Sequence, residues 1–130
     1  LKQEELENVL DKAFERISRF HRELFTIRFG KNVVNLLCRD IVYLESNKRK
    51  VIVHTVRGEY EYYHKLDEAE EELLAISADF VRIHKAYLVN MEHVEAFQYE
   101  KLALRDGTIL SISEAHRANV RSRFWEWGSE

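Results

Sequence analysis

The spacing of hydrophobic positions changes near residue 24 and divides the chain into two parts. Over residues 4–21 apolar side chains recur at steps of three and four, which predicts an amphipathic helix. Its apolar positions are Leu6, Val9, Leu10, Ala13, Phe14, Ile17 and Phe20. From Leu24 onwards, short runs of apolar and polar residues alternate as in strands. We therefore predict an N-terminal helical segment over residues 1–23 and a β-rich domain over residues 24–127.

So wide an apolar stripe is costly to leave in water, so we expect the N-terminal helix to pack on the domain. A linker from a preceding domain or a dimer contact is the alternative. A first residue Leu1 in place of methionine suggests that the chain was cut from a longer protein.

The β-rich part has the pattern of a meander with two helices inserted. Its first strand-like runs are residues 25–29, 33–37, 41–45, 51–56 and 60–63. A short helix is expected to begin near Asp67, and Ser113 is placed to cap a last helix. Between them, Asp106-Gly107 favours a tight primed turn with positive φ angles. The predicted class is a mainly β fold with α+β content: multi-stranded, with a short internal helix, a C-terminal helix and an added N-terminal helix.

Two apolar strands surround a basic residue in the stretch of residues 80–97. A first strand ends at His84, a dense apolar run begins at Tyr87, and Lys85 lies between them. Rigid apolar anchors on both sides would hold the lysine in a defined outward position. An ordinary strand pair with a surface lysine is the simpler interpretation of the same pattern.

The spacing within this stretch is specific. It contains, in order, Phe80, Arg82, His84, Lys85, Tyr87, Val89 and Asn90, with an aliphatic residue at Val94. This series resembles the central signature of the LytTR family of DNA-binding domains. Residues 40–45 are similar to the opening strand of that family, and residues 104–113 to its closing hairpin. The ordered set covers roughly residues 26–124.

The resemblance implies a multi-stranded β fold that places loops, rather than a recognition helix, into successive major grooves. It also implies binding to paired repeats in double-stranded DNA, often by two copies of the domain, with the DNA bent. In that family the domain usually forms the output half of a response regulator and follows a receiver domain. A transcriptional regulator located in the cytoplasm is therefore expected.

Three loops supply the candidate DNA-binding residues. The polar tip at residues 47–50 could read base edges or neutralise phosphates; alone, it would more simply be a solubilising turn. His84 is either a structural residue or a phosphate contact. Glu114 and Ala115 stand where many family members have basic or polar residues, which shifts the third contact towards His116 or Arg117. The candidates are Asn47, Lys48, Arg49, Lys50, His84, Lys85, Ser113, His116 and Arg117.

A formal net charge of −3 argues at first against a nucleic-acid ligand. Binding depends on a local patch, however, and the charges are segregated along the chain. Acidic residues concentrate in residues 4–15 and 59–72, whereas basic residues concentrate in residues 48–50, 82–85 and 117–123. If the basic segments converge in the fold, an acidic chain can still bind DNA.

Other classes of function have weaker support. No apolar run is long enough to cross a bilayer, and nothing resembles a signal peptide. The histidines lack the spacing of a zinc site, and no phosphate-binding glycine motif is present, so neither a metal, a cofactor nor an enzyme is expected.

Two alternatives remain: a protein-interaction or ligand-sensing module acting through Tyr60, Tyr62 and Tyr63, and an enzyme based on the single cysteine, Cys38. One cysteine excludes an internal disulfide and suits a reducing compartment; its simplest role is a small buried hydrophobe.

Overall fold

The computed structural model describes residues 23–128, so the helix predicted over residues 4–21 lies outside the described residues. Within this range the chain forms ten strands and two α-helices. These are β1 Leu24–Phe29, β2 Asn32–Leu37, β3 Ile41–Asn47, β4 Lys50–Thr55, β5 Gly58–Tyr63, α1 Leu66–Leu74, β6 Phe80–His84, β7 Tyr87–Asn90, β8 Val94–Phe97, β9 Lys101–Leu104, β10 Ile109–Ser111 and α2 Arg117–Gly128. Short 3-10 turns occupy Cys38–Asp40, Met91–His93 and Glu114–His116.

The strands form three antiparallel sheets. The largest has the order β5-β4-β3-β7-β6, while β1 pairs with β2 and β9 lies between β8 and β10. Strand β3 is central, because Leu44 pairs with Val53 on β4 and with Leu88 on β7. This pairing brings the turn after β6 beside the end of β3, although the two are far apart in the sequence.

Each face of the large sheet packs against a separate hydrophobic core. The first core contains residues of β1 to β4, α1, β6 and β7: Phe25, Ile27, Leu36, Cys38, Ile41, Leu44, Val51, Val53, Leu66, Ala69, Leu73, Phe80 and Leu88. The second contains residues of β3, β6, β7, the small three-stranded sheet and α2: Val42, Val81, Ile83, Val89, Met91, Leu102, Leu104, Leu110, Ile112 and Val120.

Successive side chains of β6 and β7 therefore enter different cores. Phe80 and Leu88 belong to the first core, whereas their neighbours Val81 and Val89 belong to the second. Side chains alternate between the faces of a strand, so a strand buried on both faces has an unbroken apolar run. This explains the dense apolar segment at residues 87–89.

The predicted fold class is confirmed: the domain is mainly β, with a short internal helix and a C-terminal helix. Helix α1 begins at Leu66, one residue before the expected start. Ser113 holds the N-cap position, but it precedes a 3-10 turn, and its hydroxyl makes no capping bond to the backbone.

The predicted primed turn at Asp106-Gly107 is wrong. Gly107 has φ 96°, but Asp106 does not have a positive φ, which a primed type I turn requires at both central positions. The Asp106 carboxylate instead accepts a hydrogen bond from the backbone N–H of Thr108 at 2.9 Å. This bond, and a second one from the side chain of Thr108, lower the pKa of Asp106. The short side chain thus organises the loop through its own hydrogen bonding.

No helix in the part of the chain described has the length and apolar character to cross a membrane.

Candidate nucleic-acid interface

The hairpin between β3 and β4 has a two-residue tip. Asn47 pairs with Lys50, which leaves Lys48 and Arg49 as the turn, and both are exposed. Lys48 has φ 59°, the one positive φ of a non-glycine residue within residues 23–128. The left-handed conformation is uncommon for a residue with a Cβ atom and recurs where strain serves function.

Lys50, the fourth residue of this tip, is already engaged on the sheet. Its Nζ atom donates to Glu61 Oε1 at 2.8 Å and lies 4.9 Å from the ring centroid of Tyr63. The hydrogen bond and the charge of Glu61 raise the pKa of Lys50. Lys48 and Arg49 are therefore better candidates for contact with an anionic ligand.

The turn between β6 and β7 carries Lys85 and is fixed by several hydrogen bonds. The backbone N–H of Ser46 donates to the carbonyl oxygen of Ala86 at 2.8 Å, which joins this turn to the end of β3. Arg82 donates from Nε to the carbonyl oxygen of His84 at 2.6 Å and from Nη2 to that of Lys85 at 2.5 Å. The side chain of Lys85 is exposed at the tip.

The side chain of His84 also stabilises the turn between β6 and β7, through a hydrogen bond inside it. The backbone N–H of Ala86 donates to His84 Nδ1 at 3.1 Å. Because a backbone N–H only donates, the neutral ring carries its proton on Nε2. Burial and the nearby charges of Lys85, His116 and Arg82 lower the pKa of His84. His84 is thus neutral near pH 7, with a structural role at Nδ1 and a hydrogen-bond donor at Nε2.

The third loop is attached to the other side of β6. The backbone N–H of Ser113 donates to the carbonyl oxygen of Ile83 at 2.9 Å, and the Ser113 hydroxyl is 2.6 Å from His116 Nδ1. Arg117 donates from Nε to the carbonyl oxygen of Ile112 at 3.1 Å, and its guanidinium lies 5.9 Å from the ring centroid of Tyr99. Two hydrogen bonds, at Ser46 and at Ser113, therefore link all three loops in series.

A cleft of about 700 Å³ lies between the β3–β4 hairpin and the start of α1. Lys48, Arg49 and Lys85 all line it, so the structure brings together the strongest candidates of two loops. Asn47 and Lys50 line an adjacent recess. Ser113, His116 and Arg117 do not line this cleft. Ser113 is bonded to Ile83 and lies beside His116, and Arg117 lies over Tyr99. Contact of these nine residues with DNA remains a prediction.

The cleft also contains charged residues that are not among the nine candidates. Lys65 and Arg82 add positive charge, whereas Asp67 and Glu68 add negative charge. Lys65 immediately precedes an acidic helix, and no local spacing distinguishes it from other exposed lysines. Because Asp67 and Glu68 repel an anion, an anionic ligand would enter the cleft from the side of the β3–β4 hairpin.

The alternative sites receive no support from the geometry. Tyr60 and Tyr62 pack against the first core, while Tyr63 is 76% exposed, so the tyrosines do not share one surface. No group of three or more histidine, cysteine, aspartate or glutamate residues in the described part could hold a metal. Cys38 is buried, and burial raises the pKa of its thiol to about 12.

Cys38 should therefore react slowly with thiol reagents in the folded protein. At pH 8 its thiolate fraction is small, and the side chain is 2% exposed. We expect negligible labelling by an aromatic disulfide reagent over minutes, and complete labelling once denaturant is added. Fast stoichiometric labelling of the native protein would instead support a reactive cysteine.

Exposed cations gathered on neighbouring loops of a compact domain are a typical feature of nucleic-acid-binding proteins. More particularly, the chain belongs to the LytTr DNA-binding domain family, whose model matches residues 31–125. The family resemblance inferred from the sequence is confirmed.

Two individual proteins that resemble this chain carry names similar to that of the family. The chain is 23% identical over 112 residues to the sensory transduction protein LytT of Bacillus subtilis (strain 168), a match that covers 82% of this chain and 46% of that protein. The chain thus spans about half the length of this curated relative. A solved LytTr DNA-binding domain from Bacillus cereus shares the fold, with a TM-score of 0.65 and 20% identity over 78% of this chain and 95% of that one.

Proposed function

We propose that this domain binds specific sequences in double-stranded DNA as the output domain of a transcriptional regulator. The observation that carries the proposal is the placement of Lys48, Arg49 and Lys85 around one cleft, on two loops joined by the hydrogen bond between Ser46 and Ala86. Membership of a DNA-binding family supports the same conclusion.

The loops would act in two ways. Cations at the cleft neutralise phosphates, which supplies affinity that depends on salt. Arginine, lysine and asparagine side chains at the loop tips can also read guanine and adenine edges in a major groove. Because the whole chain has a net charge of −3, attraction to DNA would depend on local clusters of cations such as this one and not on the overall charge.

We further propose that two copies bind paired repeats and bend the DNA, and that a receiver domain precedes this one in a cytoplasmic response regulator. The length of one relative supports the last point. The relative LytT is a sensory transduction protein, and the match leaves more than half of its length for other parts.

Binding can be tested with a pool of random duplexes. We expect retention of the protein on duplex DNA at low salt, release as salt rises, and enrichment of a paired motif about one helical turn apart. Each neutralised phosphate should add about 0.9 to the slope of log affinity against log salt. A ligand-sensing module would show no salt-dependent retention, and enrichment of a single unpaired motif would contradict the two-copy arrangement.

A further inference from the structure

Arg82 connects helix α1 with the turn that carries Lys85. Its Nη1 atom donates to Asp67 Oδ1 at 2.7 Å and to Glu70 Oε1 at 2.8 Å. Its Nε and Nη2 atoms donate to the carbonyl oxygens of His84 and Lys85 at 2.6 and 2.5 Å. All three guanidinium nitrogens are therefore bonded within the domain.

This arrangement makes Arg82 a poor ligand for phosphate. Its side chain is only 11% exposed, and two carboxylates offset its charge. Of the two acids, Glu70 is the better anchor because it is 27% exposed, whereas Asp67 is 85% exposed at the cleft wall.

The same arrangement fixes two consecutive carbonyl groups of the turn. Holding the His84 and Lys85 carbonyls in place restricts the backbone on both sides of the Lys85 Cα atom, and hence the direction of its side chain. A planar guanidinium can reach these carbonyls and two carboxylates at once, but a lysine ammonium on a flexible stem cannot.

We infer that Arg82 is a positioning residue for DNA recognition: it clamps the His84–Lys85 turn to α1 and so aims Lys85 at the DNA. The inference rests on the proposed function. It assigns α1 a part in recognition, although the acids of that helix would themselves repel phosphates.

Arg82→Lys tests the geometry of the side chain separately from its charge, because it keeps the positive charge and loses the planar guanidinium group. We expect it to lower specific affinity about tenfold, as much as Lys85→Ala does. In a Lys85→Ala background, Arg82→Lys should cause little further loss, since the residue that it positions is gone. Arg105→Lys is the matched control: Arg105 donates from Nε to the Glu92 carbonyl oxygen and does not line the cleft.

Unchanged affinity in Arg82→Lys, or a full additional loss in the Lys85→Ala background, would overturn the inference and imply a role through charge or direct contact. If Arg82→Lys does not fold, Glu70→Gln weakens the clamp while leaving Arg82 in place, and the same double-variant comparison applies.

Amide hydrogen exchange provides a readout without DNA. The Ala86 N–H is bonded to His84 Nδ1 inside the turn, so Arg82→Lys should speed its exchange several-fold while the Leu44 N–H in β3 keeps its protection. Unaltered exchange at Ala86 would refute the clamp. If the clamp is present but no duplex binds, the proposed function fails while the turn geometry stands.

Discussion

Replacement of Asn90 by alanine should lower the free energy of unfolding by about 3 kcal/mol, at about 1 kcal/mol for each of its three hydrogen bonds. Asn90 is 1% exposed at the end of β7. Its Nδ2 atom donates to the carbonyl oxygens of Cys38 at 3.2 Å and Ile41 at 2.9 Å, and its Oδ1 atom accepts from the backbone N–H of Glu92 at 3.0 Å. Alanine would remove all three bonds, and the Cys38 carbonyl would keep only the bond from the Ile41 N–H.

The structural consequence would be the loss of a brace between distant segments. Asn90 joins the end of β7 to both ends of the 3-10 turn that leads into β3, the central strand. Because β3 pairs with β4 and β7, a disturbance there should spread through the large sheet.

Urea unfolding of the purified domain measures this effect. Asn47→Ala is the matched control, because it makes the same chemical change at an exposed hairpin position and should change stability by less than about 0.5 kcal/mol. Similar midpoints for the two variants would mean that Asn90 does not brace the core.

Lys85→Ala and Arg49→Ala should each weaken binding to the selected duplex by about 1–3 kcal/mol, with little change in the melting temperature. Both side chains are exposed and line the same cleft. Neither contributes to the hydrophobic cores, so their truncation removes contacts with the ligand without creating a cavity.

Titrations at several salt concentrations distinguish the two kinds of contact. Loss of a phosphate contact should reduce the salt slope by about 0.9 and weaken all duplexes similarly. Loss of a base contact should instead relax the preference at one position of the motif.

Lys31→Ala serves as the control for these variants, since Lys31 is exposed in the β1–β2 turn and does not line the cleft. Unfolding of Lys85→Ala or Arg49→Ala would show that the side chain belongs to the structure rather than to the interface.

Local patterns in the sequence were sufficient to predict the strands and the two loop tips. Alternation predicts β3 and β4, and a polar tip between apolar runs identifies Lys48 and Arg49. Lys85 interrupts two apolar runs, and the resemblance to the family predicts that it contacts DNA. These signals all lie within a few residues of the feature that they predict.

Contacts between distant segments could not be predicted in this way. Asparagine is common in turns, yet Asn90 is buried. Its partners Cys38 and Ile41 come within hydrogen-bonding distance only when β3 pairs with β7. Arg82 carries no local signal of its bonds to the turn, because these depend on where α1 packs. Strand order and helix packing are set by the two cores rather than by spacing.

The burial of β6 and β7 on both faces has a consequence for the thermodynamics of recognition. The turn between them is already ordered, so DNA need not immobilise it, and association avoids much of the conformational entropy that a flexible loop would lose. The heat-capacity change on complex formation should then reflect only the surface that the DNA covers, without a contribution from coupled folding. If this turn contacts DNA as proposed, its selectivity would come from a shape that is already present before binding.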